Sequence, residues 1–131
     1  MTTDNITTER TGLPVTASAA RDVVRDLLGS HDRLAGPSTM LTDALLVTSE
    51  LVTNAVRHGG GVASFSARLH GEDVLCITVA DHSPELPRAT PPARDFAPGG
   101  YGWPLVQRLC EVVTVTPSVA GKTVHAHLRL M

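Results

Sequence analysis

The segment from Leu45 to Gly61, LLVTSELVTNAVRHGGG, constrains this chain more than any other, because it reads as one helix with two unlike faces. Residues three and four apart share a helix face. Leu41, Ala44, Leu45, Thr48, Leu51, Val52 and Ala55 therefore form a stripe that needs a core to pack on. Glu50, Asn54 and then Arg57 or His58 form a polar stripe beside it. A carboxylate and a carboxamide one turn apart are usually just the solvated face of a helix. At the border of an apolar stripe they also have the form of a site, and the downstream blocks favour that second reading. Gly59-Gly60-Gly61 ends the helix with residues that accept left-handed backbone.

Upstream, Ala20, Val23, Val24, Leu27 and Leu28 recur at helical spacing, which predicts a helix from Ala17 to Leu28 with Thr16 or Ser18 as N-cap and Gly29 as stop. Gly36-Pro37-Ser38 breaks the chain before the second helix. Residues 1–12 lack periodicity and read as a mobile tail, with a short edge strand near Leu13 to Val15 as the other reading. The folded domain is expected over residues 13–131.

Downstream, Val62 to Leu69 alternates, with Ala63, Phe65, Ala67 and Leu69 on one face. His70-Gly71-Glu72-Asp73 then turns into a second run, Val74 to Ala80, which ends on Asp81. His82 to Gly100 is proline-rich and aperiodic, and long irregular loops of this kind often act as lids. Helical spacing returns from Gly102 to Val112, with Pro104 in the first turn, where its missing N–H costs little. Val113 to Thr116 and Thr123 to Leu130 read as strands around a turn at Pro117 to Lys122. The expected architecture is an α/β (α+β) two-layer sandwich, about three helices on one face of a mixed, mostly antiparallel sheet.

Composition narrows the function classes. At 131 residues the chain suits one domain with a real core. Its formal charge is -2, and Lys122 is its one lysine beside ten arginines. No clustered basic face points to a nucleic-acid backbone. No apolar run approaches the roughly 20 residues that cross a bilayer, and the polar start does not resemble a signal peptide, so the cytoplasm is the expected compartment. Cys76 and Cys110 fall in a strand and a helix pattern and read as buried thiols, with a disulfide between them as the competing reading.

Four blocks stand in order: Glu50 to Gly61, Val79-Ala80-Asp81, Pro98-Gly99-Gly100-Tyr101-Gly102-Trp103-Pro104, and Gly121-Lys122-Thr123. In that order and at those separations they resemble the ATP-binding domain shared by histidine kinases and gyrase, over Ala17 to the C-terminus. The wording ELVTNAVRHG resembles the small bacterial regulators related to anti-sigma-factor serine/threonine kinases. The resemblance implies ATP and Mg²⁺ as cofactors. It makes Asn54 the metal contact, Glu50 the catalytic base, and Asp81 the acceptor of the adenine amino proton, with Thr123 assisting. Gly99, Gly100 and Gly102 would let the backbone approach the phosphates, ahead of a helix N-terminus. It also implies a sigma factor and/or an anti-anti-sigma protein as partner, and a homodimer.

The blocks also depart from the wider family. Asp81-His82-Ser83-Pro84-Glu85 replaces the Asp-x-Gly-x-Gly expected of histidine kinases, and Tyr101 and Trp103 crowd the glycines. Two readings of function therefore stand. One is an ATP-binding regulator that phosphorylates Ser or Thr of an antagonist; the other is a non-catalytic module that holds a regulator with nucleotide structural or absent. Gly121-Lys122-Thr123 imitates the end of a P-loop but has no earlier glycine at Thr116, and so reads as a turn. His125 and His127 share a strand face without a third metal ligand and read as exposed strand histidines.

Overall fold

The two-faced segment forms α2 (Ser38–His58), the centre of the helical layer. It packs between α1 (Ala17–Gly29) and α3 (Gly102–Leu109) and lies over strands β2 (Val62–His70) and β3 (Val74–Asp81). The chain is seen here in a computed structural model that describes residues 7–11, 16–29, 38–71, 73–83 and 102–130. Thr16 caps α1, its Oγ1 accepting from Ala19 N at 3.0 Å. At the other end of the layer, Gly59 N and Gly61 N both donate to Ala55 O at 2.9 Å. Gly60 and Gly61 then take φ of 73° and 109°, so the glycine run stops α2 where the sequence places its end.

The sheet has five strands in the order β1-β2-β3-β5-β4, with β1 at Thr7–Thr11, β4 at Val112–Pro117 and β5 at Lys122–Arg129. Every described pairing is antiparallel. After β3 the chain passes through α3, forms β4 at the edge and returns as β5 between the two. β3 and β4 run the same way, but β5 separates them and no parallel ladder forms. The mixed, mostly antiparallel sheet of the sequence reading is thus antiparallel throughout its described strands.

Alternation sorts the faces. Phe65, Ala67 and Leu69 of β2, Leu75, Ile77 and Val79 of β3, and Val124, Ala126 and Leu128 of β5 are buried toward the helices. Val24, Val47, Val52 and Val106 meet them from the helical layer, each under 2% exposed. Thr48 belongs to the buried stripe at 0% exposure because its hydroxyl donates to Ala44 O at 2.7 Å, which satisfies the polar group.

Three expectations are corrected. Residues 1–12 are not all tail, since Thr7–Thr11 pairs with β2 as an edge strand. Threonine is β-branched and suits a strand, and the free edge of β2 supplies its hydrogen-bond partners. The alternative strand at Leu13 to Val15 lies outside the described residues. The third helix stops at Leu109, because Val112 is already paired with His127 in β4, and β5 starts at Lys122 because Lys122 pairs with Asp81 and Pro117.

Candidate functional site: the polar face of α2 and the ends of β3 and β5

The polar stripe of α2 stays together in the fold. Glu50, Thr53, Asn54, Arg57 and His58 line a cleft whose far side is Gly102, the first residue of α3. A Cβ on Gly102 would meet Glu50 Oε1, so the carboxylate lies directly against the first residue of α3. Burial raises the Glu50 pKa from its ordinary 4.5, while the Arg57 guanidinium on the same face pulls it back down. Asn54, one turn away and half-buried, offers a carboxamide oxygen of the hard neutral kind that Mg²⁺ takes. A partly buried carboxylate, a carboxamide and a glycine backbone fit a phosphate-bound Mg²⁺.

A second polar group lies at the ends of β3 and β5. Asp81 closes β3 with its side chain 5% exposed, and Lys122 opens β5 at 6%. Their antiparallel register brings Lys122 Nζ to 2.8 Å from Asp81 Oδ2. The other carboxylate oxygen, Oδ1, accepts from Ser83 N at 2.9 Å, and Lys122 Nζ donates to Ser83 O at 3.2 Å. His82 N donates to Gly59 O at 2.8 Å, which ties this corner to the end of α2. Two glycines make the corner possible. A Cβ on Gly59 would strike the Asp81 side chain, and one on Gly121 would strike the Asp81 carbonyl. The pair is held by charge and by hydrogen bonds on both members, the condition under which two buried charges are tolerated.

The sequence-derived residues divide accordingly. Glu50, Asn54 and Gly102 come together with Arg57 and His58 in the cleft. Asp81 sits at a strand end as expected, but both its oxygens already have partners. Thr123 is not brought beside Asp81. It pairs with Ala80 and alternates with Lys122, so its side chain belongs to the sheet face away from the helices. Gly99 and Gly100, with the lid expected over His82 to Gly100 beyond Ser83, lie outside the described residues. His125 and His127 are half-buried on the outer face, His125 Nδ1 lying 3.3 Å from Thr78 Oγ1. Among the described residues no group of three or more His, Cys, Asp or Glu could hold a metal ion.

Lys122 is the residue that sequence reasoning missed. The available signal was an acid ending one strand pattern and the only lysine of the chain opening another. Spacing alone did not show that these two strand ends are neighbours.

The described elements form an α+β sandwich with a polar helix face opposite a glycine-led helix, an arrangement consistent with the fold of an ATPase domain. The chain belongs to the histidine kinase-like ATPase domain family, whose model matches residues 11–128. It is similar in fold to a solved structure of the RsbU and RsbW domains of Rv1364c from Mycobacterium tuberculosis, with TM-score 0.62 and 22% identity. That likeness covers 95% of this chain and 32% of the other, so the chain spans about a third of its length. No curated protein matches the chain by sequence. Among the described residues no helix is long and apolar enough to cross a membrane.

Proposed function

We propose that the chain is an ATP-binding regulatory protein of the anti-sigma-factor type, which binds Mg-ATP and transfers phosphate to a serine or threonine of an antagonist. The observation that carries this reading is Glu50 and Asn54 side by side on α2, facing Gly102 at the start of α3. Membership of an ATPase domain family supports nucleotide binding, and the RsbW domain in the similar structure supports a regulatory setting. Mg-ATP, when bound, supplies the phosphoryl group. Asn54 offers its carboxamide oxygen to Mg²⁺. Glu50 orients a partner hydroxyl and accepts its proton, and burial makes it a stronger base than an exposed carboxylate. Gly102 keeps the phosphate side open to backbone N–H groups at the start of α3. The partner is a sigma factor and/or an anti-anti-sigma protein, and the protein acts in the cytoplasm as a homodimer.

One observation favours the second reading, a non-catalytic module that holds a regulator with nucleotide structural or absent: the buried carboxylate at the end of β3 is already paired with Lys122. Incubation of wild type and Glu50→Gln with γ-labelled ATP and candidate antagonists separates the two. The kinase reading expects label on an antagonist serine or threonine with wild type only. Retention of a partner by both proteins without any transfer would leave the binding module as the better account.

A further inference from the structure

We propose that Lys122 closes the carboxylate end of the site to a nucleotide base, so that the chain holds nucleoside triphosphates by their phosphates and discriminates weakly among bases. The inference rests on the nucleotide-binding reading above. It concerns Asp81, the one buried carboxylate among the described residues at 7% exposure, to which the family resemblance gives the adenine amino proton. Asp81 Oδ2 faces Lys122 Nζ at 2.8 Å and Oδ1 accepts from Ser83 N at 2.9 Å. A carboxylate has further lone pairs, but a side chain 5% exposed presents no open face for a base to reach them.

Displacing the lysine is unfavourable. A base amino group is a neutral donor, whereas the ammonium brings a full opposite charge to the carboxylate and adds Coulombic attraction to the hydrogen bond. Lys122 also donates to Ser83 O at 3.2 Å, so moving it breaks two contacts. Both glycines lie close against the acid, Gly59 against its side chain and Gly121 against its backbone, so the corner has no room for a side chain at either position. Lys122 is therefore a specificity-determining residue that acts by occupying the acceptor. The phosphate end, at Glu50, Asn54 and Gly102, is separate from this pair and stays available.

The test is calorimetric titration of the full chain with Mg-ATP and with Mg-GTP, repeated on Lys122→Met. Were Asp81 free to accept an adenine amino proton, that bond would favour ATP by about tenfold or more. Wild type is expected to bind both nucleotides with a ratio below that limit, and folded Lys122→Met to shift the ratio toward ATP. A wild-type preference for ATP above the limit overturns the inference and leaves nucleotide binding standing, as does a folded Lys122→Met with an unchanged ratio. If Lys122→Met does not fold, the wild-type ratio decides alone. Failure of wild type to bind either nucleotide overturns the nucleotide-binding reading itself, and this inference with it.

Discussion

Lys122 Nζ lies 2.8 Å from Asp81 Oδ2 with the two side chains 6% and 5% exposed, and this contact joins the end of β3 to the start of β5. Opposite charges at adjoining strand ends lock the register of the two strands, because a slip of one residue would turn one charge to the other face of the sheet. Ser83 bonds both members, its N–H donating to Asp81 and its carbonyl accepting from Lys122.

Removing one partner should therefore cost more than removing both. Lys122→Met leaves a buried carboxylate without its counter-ion and is expected to lose about 3–5 kcal/mol in urea unfolding. The double variant Lys122→Met with Asp81→Leu should recover most of that loss, since an apolar pair in place of a buried ion pair is often neutral. Equal losses in the single and double variants would contradict the pairing.

Glu50 carries the opposite kind of signal. Its pKa is raised in the folded state by burial, so its contribution to stability is fully present below the unfolded pKa and is lost as pH rises through the folded one. Glu50→Gln removes that titration. The variant should be more stable than wild type at neutral pH and converge with it near about pH 4. Thermal melts across that range check the sign, and a variant less stable at neutral pH would refute it.

Glycine at position 121 is required by a close approach of backbone to backbone. A Cβ there meets the Asp81 carbonyl and His82 Cα, neither of which can rotate away, so Gly121→Ala should destabilise the chain by about 1–3 kcal/mol or more. Gly29, at the end of α1, has nothing within 4 Å of a built Cβ. Gly29→Ala should be neutral or stabilise by about 0.4–1 kcal/mol. Chemical denaturation of the two variants side by side tests the contrast.

Both cysteines are free and buried, and burial pushes the Cys110 thiol up to about 12. The thiolate is the reactive form. Native protein should therefore react slowly with thiol reagents at neutral pH and promptly once unfolded. Rapid labelling of Cys110 in the folded chain would contradict its placement.

Much of this was legible in the sequence for a physical reason. The stripe from Leu41 to Ala55 and the alternation from Val62 to Ala80 are local patterns, each produced by one element against one core, so periodicity suffices to read them. The position of β5 between β3 and β4 is not local, and with it went the meeting of Asp81 and Lys122 and the outward turn of Thr123. The family resemblance gives Thr123 a part beside Asp81, whereas strand alternation sends the two side chains to opposite faces. The fold brings Glu50, Asn54 and Gly102 to one cleft, because the first two share a helix face and the third opens the next helix against it; the shared helix face was legible in the spacing, the approach of Gly102 was not.

The central claim, a nucleotide site on the polar face of α2, is tested most directly by titrating the folded chain with Mg-ATP in a calorimeter beside Asn54→Ala. Saturable binding to wild type, weakened about tenfold or more in a folded Asn54→Ala, is the predicted result. A folded wild type that takes up no Mg-ATP, or an Asn54→Ala variant that binds it equally well, would contradict the account.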